Sequence, residues 1–550
     1  MVKGTFAPRV GNDSNSEPRR CVSNEHRYSS HLKGTMFSKS LRCSYVLSVI
    51  PLASGCAPLQ PMGRATATTN PQVASYTVNA PKNANVSVEF GVDTNYGFTT
   101  SPQPAPEGGG AVSVLVAGMH SNTLYHMRGI ITLSDGSRFA DRDQSFISGT
   151  LPAAQLPHLT VTTAAGMKPQ SGIELVNILS LNKPVPVFAT DLSGNVIWSY
   201  QFQGTSSDTI QPIKLLPNGH FVVVITPGSL APLFPAPPVG TIDVIREIDL
   251  AGTTVREISI ADLNTKLAAA GYDLTLEVFH HDVLPLANGH WIAIGNTLKP
   301  FTNLPGFPST TNVLGDVLVD LDENLNPVWV WNEFDHFDVN RHPFMFPDWT
   351  HTNALVYSDD GNLLVSIRNQ NWLVKVDYRD GVGTGDILWR LGYQGDFSLQ
   401  GDTDPSDWFY AEHAPSFATS STTGKFSLVL FDNGDDRVFP SNTTCQKVGV
   451  SSCPYSTVPI LDIDETAKTA TLAFHYVAPQ YSGFGGNAEV LQNGNVEFDE
   501  CDSTNLINPD ADIYEVTQES NPQLVWHMDV AGQTAYRAFR LPSLYPGVQW

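Results

Sequence analysis

Three histidines stand at comparable distances before a recurring turn glycine. His281 precedes Gly289 by 8 residues, His351 precedes Gly361 by 10, and His413 precedes Gly424 by 11. An imidazole can attack as a nucleophile, carry a proton near neutral pH, or bind a metal. Asn353 lies two residues beyond His351, so on a strand it faces the same way. Arg368 ends the apolar run after Gly361 and can reach the same rim. His280 adjoins His281 and points oppositely on a strand; which of the two serves the site stays open. A metal site wants neutral imidazoles and often a carboxylate, and a guanidinium opposes a cation. The forked donors of Arg suit planar or tetrahedral oxyanions. The set therefore favours an anion over a metal. A lone histidine is ordinarily a surface or satisfied core residue, but three at equivalent places in a repeat are harder to assign to chance.

The positioning elements follow from that repeat. Gly219, Gly289, Gly361, Gly424 and Gly494 are spaced 70, 72, 63 and 70 residues apart. Most follow Asn or Asp, and each precedes an apolar strand such as 220–224, 290–294 or 362–366. Such turns take positive φ and suit tight hairpins between twisted strands. Trp198, Trp329, Trp389 and Trp526 close several of the units. About four strands repeated at this period is the sign of a propeller. With a partial unit at 173–200, and 535–544 as a closing strand, the count is six. The pattern at 73–156 is short alternating strands, as in a small β-sandwich. The expected fold is all-β: a six-bladed β-propeller over 157–550 preceded by a small N-terminal β-sandwich. A pair of sandwiches is the alternative. The innermost strands of a propeller line its channel, so His281, His351 and His413 are expected to converge at one mouth.

Composition agrees. Gly 43, Pro 39 and only 15% charged residues favour short strands and tight turns over long helices. Net charge is −23, although the first 55 residues are basic, so the remainder is more acidic still. Such a surface repels nucleic acid, while a local site can still be positive. Six cysteines are too few for a disulfide scaffold. From Met36 the chain reads as an export signal: Lys39 and Arg42, an apolar run at 45–53, small residues, then Cys56. The run is too short to span a bilayer. Residues 1–56 are thus expected to be a leader with Met36 as its natural start, and 57–72 a linker. Lipid on Cys56 would anchor an exported, periplasmic protein to the membrane.

Several segments resemble the bacterial PAPS-independent arylsulfotransferase family. They are Phe279-His280-His281-Asp282, Asp348-Trp349-Thr350-His351-Thr352-Asn353, Val365-Ser366-Ile367-Arg368-Asn369-Gln370, Glu412-His413-Ala414 and Phe431-Asp432-Asn433-Gly434-Asp435-Asp436-Arg437. Their order is specific; any one alone is weak. The resemblance covers nearly the whole propeller and implies transfer of a sulfuryl group from a phenolic sulfate ester to another phenol. It implies no cofactor, no nucleotide sulfate donor and no metal. It implies His413 as the nucleophile of a ping-pong reaction through a sulfohistidine. His281, His351, Asn353 and Arg368 would bind sulfuryl oxygens or handle protons, with His280 as the substitute for His281. Tyr481 and Phe484 would stack on phenyl rings or simply pack their loop. A disulfide between Cys445 and Cys453 is also implied. Ala414 stands where the family more often has Thr. Homo-oligomerisation stays open. The competing readings are a non-catalytic ligand-binding propeller and a metal-dependent sulfate-ester hydrolase; the Cys453-Pro454 step lacks the spacing and the Arg of common sulfatases.

Overall fold

The computed structural model describes residues 62–550, apart from 180–185, 201, 203, 205–207, 235–238, 308, 402–405, 423, 436, 438–453 and 503–508. Met36, Cys56, Cys445 and Cys453, with the leader and residues 57–61 of the expected linker, lie outside the described residues; Arg64–Ala67, within that expected linker, is a strand.

The first strands alternate inward and outward. In Ala74–Ala80 the buried residues are Ala74, Tyr76, Val78 and Ala80, the period-two pattern of a half-buried strand. This strand sits between Arg64–Ala67 and Gly110–Val116. A second sheet pairs Asn85–Gly91 with Leu124–Thr132, flanked by short edge strands. Val86, Val88, Phe90, Val112, Val114, Tyr125 and Met127 fill the shared core. Trp550, from the far end of the chain, packs its ring 5.3 Å from Phe98 and donates to Thr99 O at 3.1 Å.

Among the remaining described residues, six sheets follow in chain order, each with a core of four antiparallel strands; Ser398–Gln400 adds a parallel edge strand to the fifth. Their first strands are largely buried along both faces. The second sheet begins with Thr209–Leu215, the third with Phe279–Pro285, the fourth with Thr352–Tyr357, the fifth with His413–Phe417 and the sixth with Ala488–Val490. Each of these lies against the next. The first sheet takes its corresponding strand from the far end: Ala535–Leu541 pairs with Ile173–Ile178. It also lies against Thr209–Leu215 and Val496–Glu500. At the outer edge of the sixth sheet, His158–Thr163 pairs with Leu524–Ala531.

The turn glycines do what their sequence context requires. Gly219 and Gly289 take φ of 85° and 86°, where a Cβ would be strained. The recurring tryptophans have a separate job. Trp198 donates its indole N–H to Leu250 O at 2.8 Å, Trp389 to Glu465 Oε1 at 2.9 Å, and Trp526 to Leu192 O at 3.0 Å. In each case the acceptor belongs to a neighbouring sheet, so a buried donor is satisfied only when two sheets are docked. One α-helix is described, Ile260–Ala269. Ser259 caps it by accepting from the Asp262 N–H, and Leu263 and Leu267 bury one face.

Candidate active site

The first strands of the third, fourth and fifth sheets bring the three histidines into the interior. His281 lies within Phe279–Pro285, His413 opens its strand, and His351 immediately precedes one. The ring centroids of His281 and His351 are 4.6 Å apart. The Tyr536 ring stands 5.9 Å from His281 and 6.4 Å from His413. One aromatic side chain thus borders both imidazoles.

His413 is 1% exposed, and its orientation is over-determined. Its Nδ1 lies 2.7 Å from Asn433 Oδ1. The Asn433 amide nitrogen donates to two carbonyls, Ser482 O at 2.8 Å and Gly485 O at 3.1 Å. Carbonyls cannot donate, so the carboxamide must turn its oxygen to the histidine. Nδ1 therefore carries the proton and Nε2 the lone pair, an assignment made from the hydrogen-bond network. The Gly485 N–H, pointing at Nε2 from 3.3 Å, agrees. Burial, then the Arg368 charge, hold the His413 pKa well below the ordinary histidine value; Arg537 and His351 add to this, against the hydrogen bond His413 donates to Asn433. A neutral imidazole whose Nε2 lone pair meets only the long Gly485 N–H contact can act as a nucleophile once that contact is exchanged for a substrate.

His351 places Nδ1 2.6 Å from Asp348 Oδ2. Burial pushes the Asp348 carboxyl up, but His351, Arg368 and Asn369 outweigh it and hold its pKa below the usual value. A carboxylate-backed imidazole suits proton transfer. His281 is held well below the usual histidine value by burial, then by His351, His280, His413 and Arg537. His280 is fully buried with its ring against that of His281, Nδ1 to Nδ1 2.8 Å, and its Nε2 lies 3.1 Å from Asp316 Oδ1; the left-handed backbone at His281 removes the alternation that would have pointed the pair oppositely. Of the adjacent pair, His281 is the one beside His351.

Both His281 and His351 adopt the left-handed backbone region, with φ of 56° and 55°. This costs an ordinary residue about 1–2 kcal/mol. Their surroundings hold them there: the His281 N–H donates to Gln211 Oε1 at 3.1 Å. Strand alternation consequently does not run from His351 to Asn353; the extended run starts at Thr352. Asn353 is fully buried, donates to Glu412 O at 2.6 Å, and leaves Oδ1 without a partner. Beside it, burial raises the Glu412 carboxyl to about 8.

Arg368 donates to Asn369 Oδ1 at 2.8 Å and to Gly483 O at 3.0 Å, and pairs with Asp435. Its guanidinium sits 5.0 Å from the Phe344 ring centroid. Tyr481, partly exposed, donates its hydroxyl to Asp435 Oδ1 at 2.7 Å and joins the cluster through that carboxylate. Phe484 is partly buried on the same segment, one residue before Gly485. Sequence reasoning gave no role to Asn433, Asp348, Tyr536 or Arg537. The last two lie on the closing strand, which was marked, and placing its side chains in the interior was the available signal. Among the described residues no group of three or more His, Cys, Asp or Glu side chains is arranged to hold a metal ion. No helix there is long and apolar enough to cross a membrane.

The fold and site define a class: an all-β protein of many sheets with an imidazole-rich, Arg-flanked centre at their first strands. The chain belongs to the arylsulfotransferase (ASST) family, whose sequence profile matches residues 159–537. At family level it is thus a sulfotransferase, and all the segments quoted above fall within the matched region. A search of curated proteins returns no match. Among solved structures, a streptogramin B lyase has 12% identity over 68% of this chain and 89% of its own, with a TM-score of 0.33. A catalytically inactive virginiamycin B lyase from Staphylococcus aureus with quinupristin has 10% identity over 58% and 70%, with a TM-score of 0.29.

Proposed function

We propose that this protein moves a sulfuryl group from a phenolic sulfate ester to another phenol by double displacement at His413. The observation that carries the proposal is the tautomer of His413, fixed by Asn433 with Nε2 unprotonated. In the first half, the Nε2 lone pair attacks sulfur in line as the S–O(aryl) bond breaks. The departing phenoxide takes a proton from an imidazole, for which the Asp348-backed His351 is best placed. In the second half, that imidazole removes the proton from an incoming phenol. The phenoxide attacks sulfur and the S–N bond breaks, returning His413 to its free base. Charge in both transition states spreads over the three equatorial oxygens, as in phosphoryl transfer. Arg368, Asn353 and His281 are the donors assigned to them. No nucleotide donor or cofactor takes part. Tyr481 and Phe484 are proposed to contact the aryl rings.

The architecture proposed for this chemistry is six blades around one axis, behind an N-terminal sandwich. The succession of first strands, and the pairing of Ala535–Leu541 with Ile173–Ile178, support it. Export to the periplasm, lipid on Cys56 and a Cys445–Cys453 bridge complete the proposal. The test is intact mass after exposure to 4-nitrophenyl sulfate. The parent protein should gain one sulfuryl group, and His413→Ala none. Nitrophenol release without that adduct, or release abolished by chelator, would overturn it.

A further inference from the structure

Arg537 is a second guanidinium in the interior, and nothing in the proposed reaction uses it. It is 2% exposed on the closing strand Ala535–Leu541. Its Nη2 donates to Asn353 O at 2.6 Å, and its plane lies 5.0 Å from the Tyr536 ring centroid. The strand is clasped from the sixth sheet by Asn487, which donates to Ala538 O at 2.7 Å and accepts from the Ala538 N–H at 2.9 Å. The Gly486 N–H donates to Tyr536 O at 3.0 Å. Tyr536 and Arg537 are therefore rigidly placed, with Tyr536 bordering both His281 and His413.

The charge on Arg537 is incompletely matched. Its nearest carboxylate, Asp282 Oδ2, is 3.7 Å from Nη1. Asp282 is already engaged by Lys214 at 2.5 Å and by the Leu355 N–H at 3.0 Å. Two cations thus share one anion, and the Arg537 Nε is buried without a partner. Asp499, on the adjoining strand, is fully buried with both carboxylate oxygens unpartnered. Burial disfavours its charged form and holds its pKa well above the usual value. A buried surplus of positive charge disfavours a second cation nearby and favours an anion.

We propose that Arg537 is a positioning residue of the sulfotransfer site: it pins Asn353 for the sulfuryl oxygens, backs the Tyr536 ring that borders His281 and His413, and places a buried positive charge behind them. The proposal rests on the sulfotransfer reading for its kinetic consequence, though not for its electrostatic one. The groups facing His413 are Arg368, Arg537, His351, His281, Asn433 and Tyr536; those facing His281 are His280, His351, His413, Tyr536 and Arg537. Burial is the larger cause of the lowered histidine pKa values, and Arg537 contributes to both.

The test compares the parent with Arg537→Gln and Arg537→Lys in two measurements. Nitrogen-15 NMR of labelled histidines reads the protonated fraction of each imidazole against pH, whether or not the protein turns over. Arg537→Gln should raise the titration of His413 and His281, whereas Arg537→Lys keeps the charge and should move it little. The second measurement is kcat and KM for 4-nitrophenyl sulfate. Arg537→Lys should lower kcat about tenfold or more through the lost grip on Asn353. Unshifted histidine titrations in Arg537→Gln, or equal shifts in both variants, overturn the electrostatic role. If Arg537→Gln does not fold, a parent-like kcat in Arg537→Lys overturns the positioning role. A parent that titrates as expected but releases no nitrophenol defeats the sulfotransfer reading alone.

Discussion

Replacing Asn433 by Ala removes the carboxamide that decides which nitrogen of His413 carries the proton. The lost contact is the 2.7 Å bond to a buried Nδ1–H. A buried donor left without an acceptor costs about 1–3 kcal/mol. The ring can avoid that cost by turning or by changing tautomer, and either takes the lone pair away from where Nε2 now holds it. If the whole penalty falls on the transition state, kcat drops roughly 5- to 150-fold. The carboxamide also ties down Ser482 O and Gly485 O, so a general loosening of that segment has to be separated from the tautomer effect. Asn433→Asp does this. It keeps an acceptor at Nδ1 while losing both carbonyl bonds, so it should retain more activity than Asn433→Ala at neutral pH and above. The assay is nitrophenol release from 4-nitrophenyl sulfate with phenol as acceptor, with circular dichroism to establish folding. A folded Asn433→Ala within about twofold of the parent kcat would refute the tautomer argument.

Three further outcomes are expected. Because burial and neighbouring cations hold His413 well below the usual histidine value, the acidic limb of kcat/KM against pH should lie below about 6.5. The unfolded chain binds that proton more readily, so the His413 contribution to stability is complete above the unfolded pKa and declines as pH falls through it; melting temperatures measured across the same range check the sign. Asp243 behaves oppositely. Burial raises it to about 8, so its contribution is complete below the unfolded pKa of about 4 and is lost as pH rises through 8. The melting temperature of Asp243→Asn relative to the parent should therefore climb as pH rises from about 4 and level off above about 8, in differential scanning calorimetry. Finally, Trp526→Phe removes the indole donor to Leu192 O and should cost about 1–3 kcal/mol, read from denaturant unfolding.

The repeat made much of the fold and part of the site legible. Turn glycines mark hairpins because few residues tolerate their φ, and a similar offset from them, 8 to 11 residues, carries His281, His351 and His413 to equivalent places. The helix at Ile260–Ala269 carried its own signal in Ser259 and the spacing of Leu263 and Leu267, within a unit read only for strands. Alternation failed at Asn353 because it assumes an extended backbone, and His351 is left-handed. Asn433 and Asp348 acquire meaning only when a fixed donor geometry shows what they hold. Tyr536 and Arg537 lie outside the glycine-marked units, and their proximity to the imidazoles comes from pairing across several hundred residues of sequence.

The left-handed backbone at His281 and His351 has a consequence for ancestry. At both positions glycine or asparagine would be easier to accommodate, so selection for stability alone pulls against the imidazoles. A descendant that no longer needs the chemistry should drift at these two places early, while its turn glycines and inter-sheet tryptophans persist. Glycine at 281 and 351 in an otherwise intact scaffold would be the mark of a lineage that kept the shape and abandoned the reaction.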